Sequence, residues 1–209
     1  GEYVGGLVGQ LQAQHGDEEV RNVTASGNVS SGGQYVGGLI GDVSDDGTHY
    51  VAMSEAHATG HVNTTYDGGS NAYVGGLIGH FEGSEFTDIS ATGDVTSTTG
   101  NEVGGLVGRV AMERNNDIVA NASATGNVTT TGRQVGGLIG FHTGGSVETS
   151  YARGDVSTDG NYAGGLIGDT NDGSITDSYA RGDVNSSGDS VGGLVGEANG
   201  DVTRAYASG

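Results

Sequence analysis

One stretch limits what this chain can fold into: Val-Gly-Gly-Leu-(Val/Ile)-Gly occurs seven times, with Ala in place of the first Val in the sixth copy. The copies begin at Val4, Val36, Val74, Val103, Val135, Ala163 and Val191, so successive starts lie 32, 38, 29, 32, 28 and 28 residues apart. A fixed motif at such a period marks a stack of like units, none of which can bury its apolar side chains alone. Two further columns recur in step. One is an invariant alanine at Ala25, Ala58, Ala91, Ala124, Ala152, Ala180 and Ala207. The other is the apolar set Val20, Met53, Phe86, Val119, Val147, Ile175 and Val202.

The shortest repeat holds three apolar stretches, here Ala163–Gly168, Ile175–Ala180 and Asp183–Asn185, separated by Gly, Asp, Asn and Ser. Each is of strand length and the separators form turns. With 44 glycines, helix is disfavoured almost throughout. The chain is therefore expected to be all-β. It reads as a single parallel β-solenoid (β-helix) domain over residues 1–209, of about seven coils with three short strands each. The prior for parallel crossovers is a right-handed coil; the sequence itself does not give the hand. The alanine column belongs in a narrow interior and the leucine column (Leu7, Leu39, Leu77, Leu106, Leu138, Leu166, Leu194) in the core. Strict alternation would put Leu and the following Val/Ile on opposite faces. Either the backbone kinks there, or the Val/Ile packs beneath an external loop.

Val-Gly-Gly-Leu-Ile-Gly followed by Ser-Tyr-Ala-x-Gly-Asp-Val resembles the GLUG repeat, a family of large secreted and surface proteins, often adhesin-like. Val135–Gly188 carries the closest copies; earlier ones replace the Tyr with Thr24, His57, Ser90 and Ser123. The resemblance implies an extracellular, repetitive, non-catalytic module and brings no ligand or catalytic residue with it.

The longer repeats insert residues at Gln10–Glu19, Asp42–Ala52, Thr64–Ala72 and Arg109–Ile118. Three of these four fall at one corner, where solenoids place binding loops. The competing reading is drift in an unconstrained corner. Gly1–Tyr3 enter the first strand at once, and no atypical polar repeat closes either end. This implies a removed leader or a longer parent array.

The formal charge is −19, from 26 acidic residues against seven arginines and no lysine. That balance excludes a nucleic-acid partner, which needs a basic footprint. No run of about 20 apolar residues is present, so no membrane-inserting helix is expected. At molar salt the Debye length falls to about 3 Å and self-repulsion is screened. The composition therefore points to a halophile, in the first place an archaeon; the competing reading is an ordinary acidic surface protein. Six sequons offer glycosylation at Asn22, Asn28, Asn63, Asn121, Asn127 and Asn185. Asn22 and Asn121 share one repeat position, and Asn28 and Asn127 another, so a polar ladder of stacked Asn is the structural alternative.

No cofactor is expected, calcium aside. The acidic turns holding Asp42, Asp45, Asp46, Asp155, Asp159, Asp169 and Asp172 supply the oxygen ligands a hard cation needs, but none has full EF-hand spacing. The competing reading is solvation of a salt-adapted surface. Arg153-Gly-Asp155 and Arg181-Gly-Asp183 read as corner residues, since other copies place Ser-Gly-Asn or Thr-Gly-His there. Of the six histidines, including His15, only His57 and His61 lie close together, so all are expected at the surface. No paired-carboxylate cleft stands out for glycoside chemistry, and the chain is read as non-enzymatic.

The sequence thus points to an extracellular structural protein, a subunit or segment of a surface filament or adhesin stalk. Its expected partner is itself, in a head-to-tail homopolymer. The assembly faces would be Val4, Leu7 and Val8 at one end and Leu194, Val195, Val202 and Tyr206 at the other. The alternative is an adhesin module whose insertion loops bind a glycan or a neighbouring cell surface.

Overall fold

A computed structural model describes residues 1–14, 16–66, 71–114 and 116–209. These residues form a parallel β-solenoid with no helix: six complete turns and a partial seventh, coils one to seven. All strand pairs recorded are parallel and join equivalent residues of adjacent coils, such as Val4 with Val36 and Ala25 with Ala58.

Each complete coil has four strand positions rather than the expected three. In coil two these are Tyr35–Gly37, Ile40–Ser44, Val51–Ala58 and Val62–Thr64. The glycine motif is not one strand but two, broken at Gly38-Leu39. The break answers the alternation problem: Leu39 and Ile40 are both buried because the backbone kinks between the strands that flank them.

The kink divides the interior into two lobes. The larger gathers the leucines, the Val/Ile that follow them and the inward residues of the third strand, including Met53, Phe86 and Ile89. The smaller joins Val36, Val74, Val103 and Val135 of the first strands to Val29, Val62, Val95, Val128 and Val156 of the fourth. Between the lobes lies a waist where the second glycine of the motif faces the alanine column. A Cβ added to Gly76, Gly137 or Gly165 would stand 2.9 Å from the Cβ of Ala91, Ala152 or Ala180. The same added Cβ would stand 2.2 Å from the carbonyl oxygen of the next coil's second glycine, so glycine is required here, and alanine opposite keeps the waist narrow. The third glycine lies against the first strand: a Cβ on Gly41 would meet the Val4 nitrogen at 2.6 Å and the Tyr35 carbonyl oxygen at 2.8 Å. First and second strands therefore run back to back as the two sides of a narrow V.

The third strand has its own irregularity. Its inward residues Val20 and Val23 are three apart, an odd spacing that a regular strand does not allow. The residue between takes up the difference in the left-handed region, in every coil. These are Asn22, Glu55, Asp88, Asn121, Thr149, Asp177 and Arg204, with φ between 50° and 53°. In coils five to seven the strand divides here, as in Ser146–Glu148 and Tyr151–Ala152. Inward Ser150 and Ser178 then take up the backbone groups at the break: the amides of Ala122 and Ser150 donate to the hydroxyls of Ser150 and Ser178, each at 3.1 Å.

Candidate functional site

Two places concentrate polar side chains, the mouth of the V and the insertion corner. At the mouth, the outward column of the second strand runs Gln10, Asp42, His80, Arg109, Phe141, Asp169 and Glu197. Facing it are Tyr3, Tyr35, Tyr73, Glu102 and Gln134. Asp42, buried, accepts from Gln10 Nε2 at 3.1 Å and pairs with His80 Nδ1 at 2.8 Å. The His80 ring packs on Tyr35 and Tyr73, with centroids 5.9 and 5.5 Å away. Arg109 reaches Glu102 at 3.2 Å and lies 4.9 Å from the Phe141 ring centroid. Gln134 donates to Asp169 at 2.8 Å.

Burial raises the Glu102 carboxyl above its usual range, although Arg109 pulls it down. Burial, reinforced by the neighbouring phenols and by Asp42, pushes Tyr35 up to about 12. Three of the carboxylates here are already engaged: two donors hold Asp42, a guanidinium holds Glu102 and Gln134 holds Asp169. The arrangement locks the two sides of the V together.

At the corner, the loops of coils one, two and four converge. The Tyr50 amide donates to Asp17 Oδ1 at 2.9 Å, tying coil two to coil one. Arg114, from coil four, places its guanidinium 3.4 Å from the Tyr50 ring centroid. Coil three crosses this corner by the short connection at Gly83-Ser84, so the fourth loop reaches over it to the second. Much of the insertions at this corner is strand rather than loop: Asp42–Ser44, Val51–Ala52, Arg109–Ala111 and Ile118 all pair with neighbours. The expected insertion at Thr64–Ala72 lies partly outside the described residues (67–70), as does Asn115 of the fourth.

The candidate cation ligands are placed apart or already occupied. Asp45 accepts from the Gly47 amide at 2.9 Å. Asp46 accepts from the amides of Thr48 and His49, the Thr48 hydroxyl and the His49 ring. The side-chain hydrogen bond from His49, foremost of these, holds the Asp46 carboxyl well below the usual range. Asp155 accepts from the Asp183 amide, Asp169 from Gln134, and exposed Asp172 occupies a left-handed turn at φ 57°. Asp159 is exposed on the next corner. Among the described residues no group of three or more His, Asp or Glu is positioned to hold a metal ion.

All six sequon asparagines are exposed. Asn22 and Asn121 occupy the left-handed column, which Asn tolerates better than most residues. Asn28 and Asn127 belong to a ladder in which each side chain accepts from the backbone amide of the next coil. It runs from His61 to Asn28, Asp94 to His61, Asn127 to Asp94 and Asp155 to Asn127, at 2.9–3.0 Å. Asn63 and Asn185 point outward from the fourth strand. Both in-register pairs thus have a backbone role that is independent of any sugar.

The expectation of surface histidines fails at His142, which is fully buried. It stands in the inward column of Val43, Phe81 and Val110, four residues after Leu138, and alignment of the repeats alone would have shown this. His57 bonds Ser90 and His61 takes part in the ladder, so the two do not form a site together. His15 lies outside the described residues. Two tyrosine stacks also went unread: Tyr3–Tyr35–Tyr73 and Tyr151–Tyr179–Tyr206.

The GLUG motif matches residues 1–30, 70–96, 131–157 and 159–185, more than half of the chain. The chain belongs to the GLUG-motif family. It is 88% identical over 145 residues to halomucin of Haloquadratum walsbyi, a stretch covering 68% of this chain and 2% of halomucin. The chain thus spans about one fiftieth of the length of that relative. The relative's name and source agree with the salt adaptation read from the acidic, lysine-free composition. No solved structure matches the chain. Among the described residues no helix is long and apolar enough to cross a membrane.

Proposed function

We propose that this chain is a non-catalytic structural segment of an extracellular surface filament or stalk, suited to high salt, in which β-solenoid coils continue end to end. The observation behind this reading is the state of the apolar columns at the two ends. Leu7 is 56% exposed, whereas its equivalents in coils two to six are fully buried. At the other end Val202 is 44% exposed, while its equivalents Val147 and Ile175 are fully buried. A further coil laid on either end, from flanking chain or from another copy, would bury these groups and pair the open strand edges. If a second copy supplies it, Val4, Leu7 and Val8 meet Val191, Leu194 and Val195 in the register used throughout the stack. Repeated head-to-tail addition that does not close on itself gives a fibre.

Electron microscopy across a salt series tests this. Seven strand spacings predict an axial repeat of about 34 Å, with fibres lost in Leu7→Asp. Discrete particles at every salt concentration would refute self-assembly.

A second reading has its own support in the contact of Tyr50 with both Asp17 and Arg114. Loops from three coils are fixed into one surface, as a site for a glycan or a neighbouring cell would require. Replacing residues 45–50 by one glycine, the length of the coil-three connection, leaves Val43 and Val51 in the core. Adhesion to cells or immobilised glycans should then disappear while the fold persists; unchanged adhesion would rule the corner out.

A further inference from the structure

The stack Tyr151–Tyr179–Tyr206 belongs neither to the apolar core nor to the insertion corner. Its rings are stacked nearly parallel from coil to coil, with centroids 5.1 and 5.2 Å apart and planes inclined by 5° and 8°. Strand register enforces this, since Tyr151 pairs with Tyr179 and Tyr179 with Tyr206. Arg153 donates to the Tyr179 hydroxyl at 3.2 Å and Arg181 to that of Tyr206 at 3.4 Å, holding the phenols side by side. Tyr206 is 49% exposed, and all three rings lie on the outer face of the third strand.

The composition makes this arrangement chemically selective. The chain has no Cys and no Trp, and its two methionines, Met53 and Met112, are 1% and 4% exposed. An oxidant meeting the folded protein therefore finds no thiol, no indole and no open thioether, and the phenols are its most accessible targets. The other stack is less suited. Its rings are inclined by 30° and 37°, and the half-buried phenol of Tyr35 holds its proton tightly.

We propose that Tyr151, Tyr179 and Tyr206 form an oxidative cross-linking site, at which adjacent coils are joined by dityrosine under a peroxide-derived one-electron oxidant. Each of two neighbouring phenols gives up one electron and its hydroxyl proton. The two phenoxyl radicals pair through ring carbons ortho to oxygen, forming one C–C bond. The two ortho hydrogens then move by way of solvent to the oxygens, restoring both aromatic rings and both hydroxyls. The protein loses two hydrogens per link, and one hydrogen peroxide takes up the two electrons and two protons to leave two waters. Radical coupling is bimolecular, and register holds the partners together beforehand, so the link within a chain outcompetes links between chains. Tyr179 lies between the other two and takes part in either link.

The test is limited oxidation of the folded chain by hydrogen peroxide and a haem peroxidase in molar salt, followed by peptide mass mapping. The expected product is a monomer lighter by two hydrogens, with dityrosine fluorescence and a peptide joining Tyr179 to Tyr151 or Tyr206. Tyr179→Phe keeps the ring stack and should abolish that product. Tyr162→Phe, outside both stacks, should leave the yield unchanged. Oxidation in concentrated urea should scatter links over all tyrosines. The proposal is overturned if links in the folded protein fall elsewhere, if they form only between chains and vanish on dilution, or if Tyr179→Phe leaves the yield intact.

Discussion

Acid should act on this molecule through one buried imidazole. His142 is fully buried in the larger lobe, between Val110 of coil four and Thr170 of coil six. Its Nδ1 meets the Thr170 hydroxyl at 3.1 Å, and Nε2 has no hydrogen-bond partner among the described residues. Burial lowers its pKa from 6.5 to about 4. The folded state thus resists a proton that the unfolded chain accepts. Above pH 6.5 this has no effect; stability is lost as the pH falls from there through about 4. At about 1.4 kcal/mol per pH unit, the full loss is roughly 3 kcal/mol, a large fraction of an ordinary domain's stability. His142→Phe isolates this contribution, because Phe81 fills the same column in coil three. Denaturation curves of both proteins in molar salt at pH 7, 5.5 and 4 give the comparison. The variant should gain on the native protein by roughly 3 kcal/mol between the extremes, the carboxylates common to both cancelling. A difference that stays flat with pH would mean that the proton reaches His142 in the folded coil, and the reasoning fails.

Three other perturbations follow from the packing. Gly105→Ala should destabilise by more than the roughly 1–3 kcal/mol of ordinary overpacking, because its Cβ would stand 2.2 Å from the Gly137 carbonyl oxygen and 3.1 Å from Ala124 Cβ. Ala124→Gly added to it relieves only the second contact, so thermal melts should show little recovery. Arg109→Met leaves the Glu102 carboxylate buried without its partly exposed partner and should cost about 2 kcal/mol at pH 7. The cost should shrink in acid, where Glu102 takes a proton, as denaturation at both pH values would show. Asn127→Ala removes the acceptor for the Asp155 amide and should cost about 1 kcal/mol. Asn127→Asp should be close to neutral because Asp94 and Asp155 fill the same role, and mass spectrometry of the two variants separates any glycan from the ladder.

The columns were legible because they are a property of stacking: a residue that must meet its own equivalent in the next coil repeats at a fixed place. Leucine, alanine and glycine positions were read correctly on that basis. The count of strands per coil was not, because Gly38-Leu39 reads as continuous apolar sequence, and the kink shows only as a failure of alternation. The left-handed column was hidden for a different reason. Its conformation is fixed by the strand geometry on either side, and residues as unlike as Asn22, Thr149 and Arg204 accept it. The corner showed its position in the insertion lengths, but no pattern in the chain links Tyr50 to Arg114 across an intervening coil. The acidic turns suggested a cation because side chains were counted without their backbone partners. In Asp46 those partners are the amides of the very turn it closes.

The narrow seam of Gly and Ala between the lobes has a mechanical consequence. A column of this section resembles a beam with two thick flanges and a thin web. It resists bending in the plane that contains both flanges and yields across it. An assembly of such coils should curve like a ribbon rather than a wire, and the curvature of imaged fibres would lie in one plane fixed to the molecule.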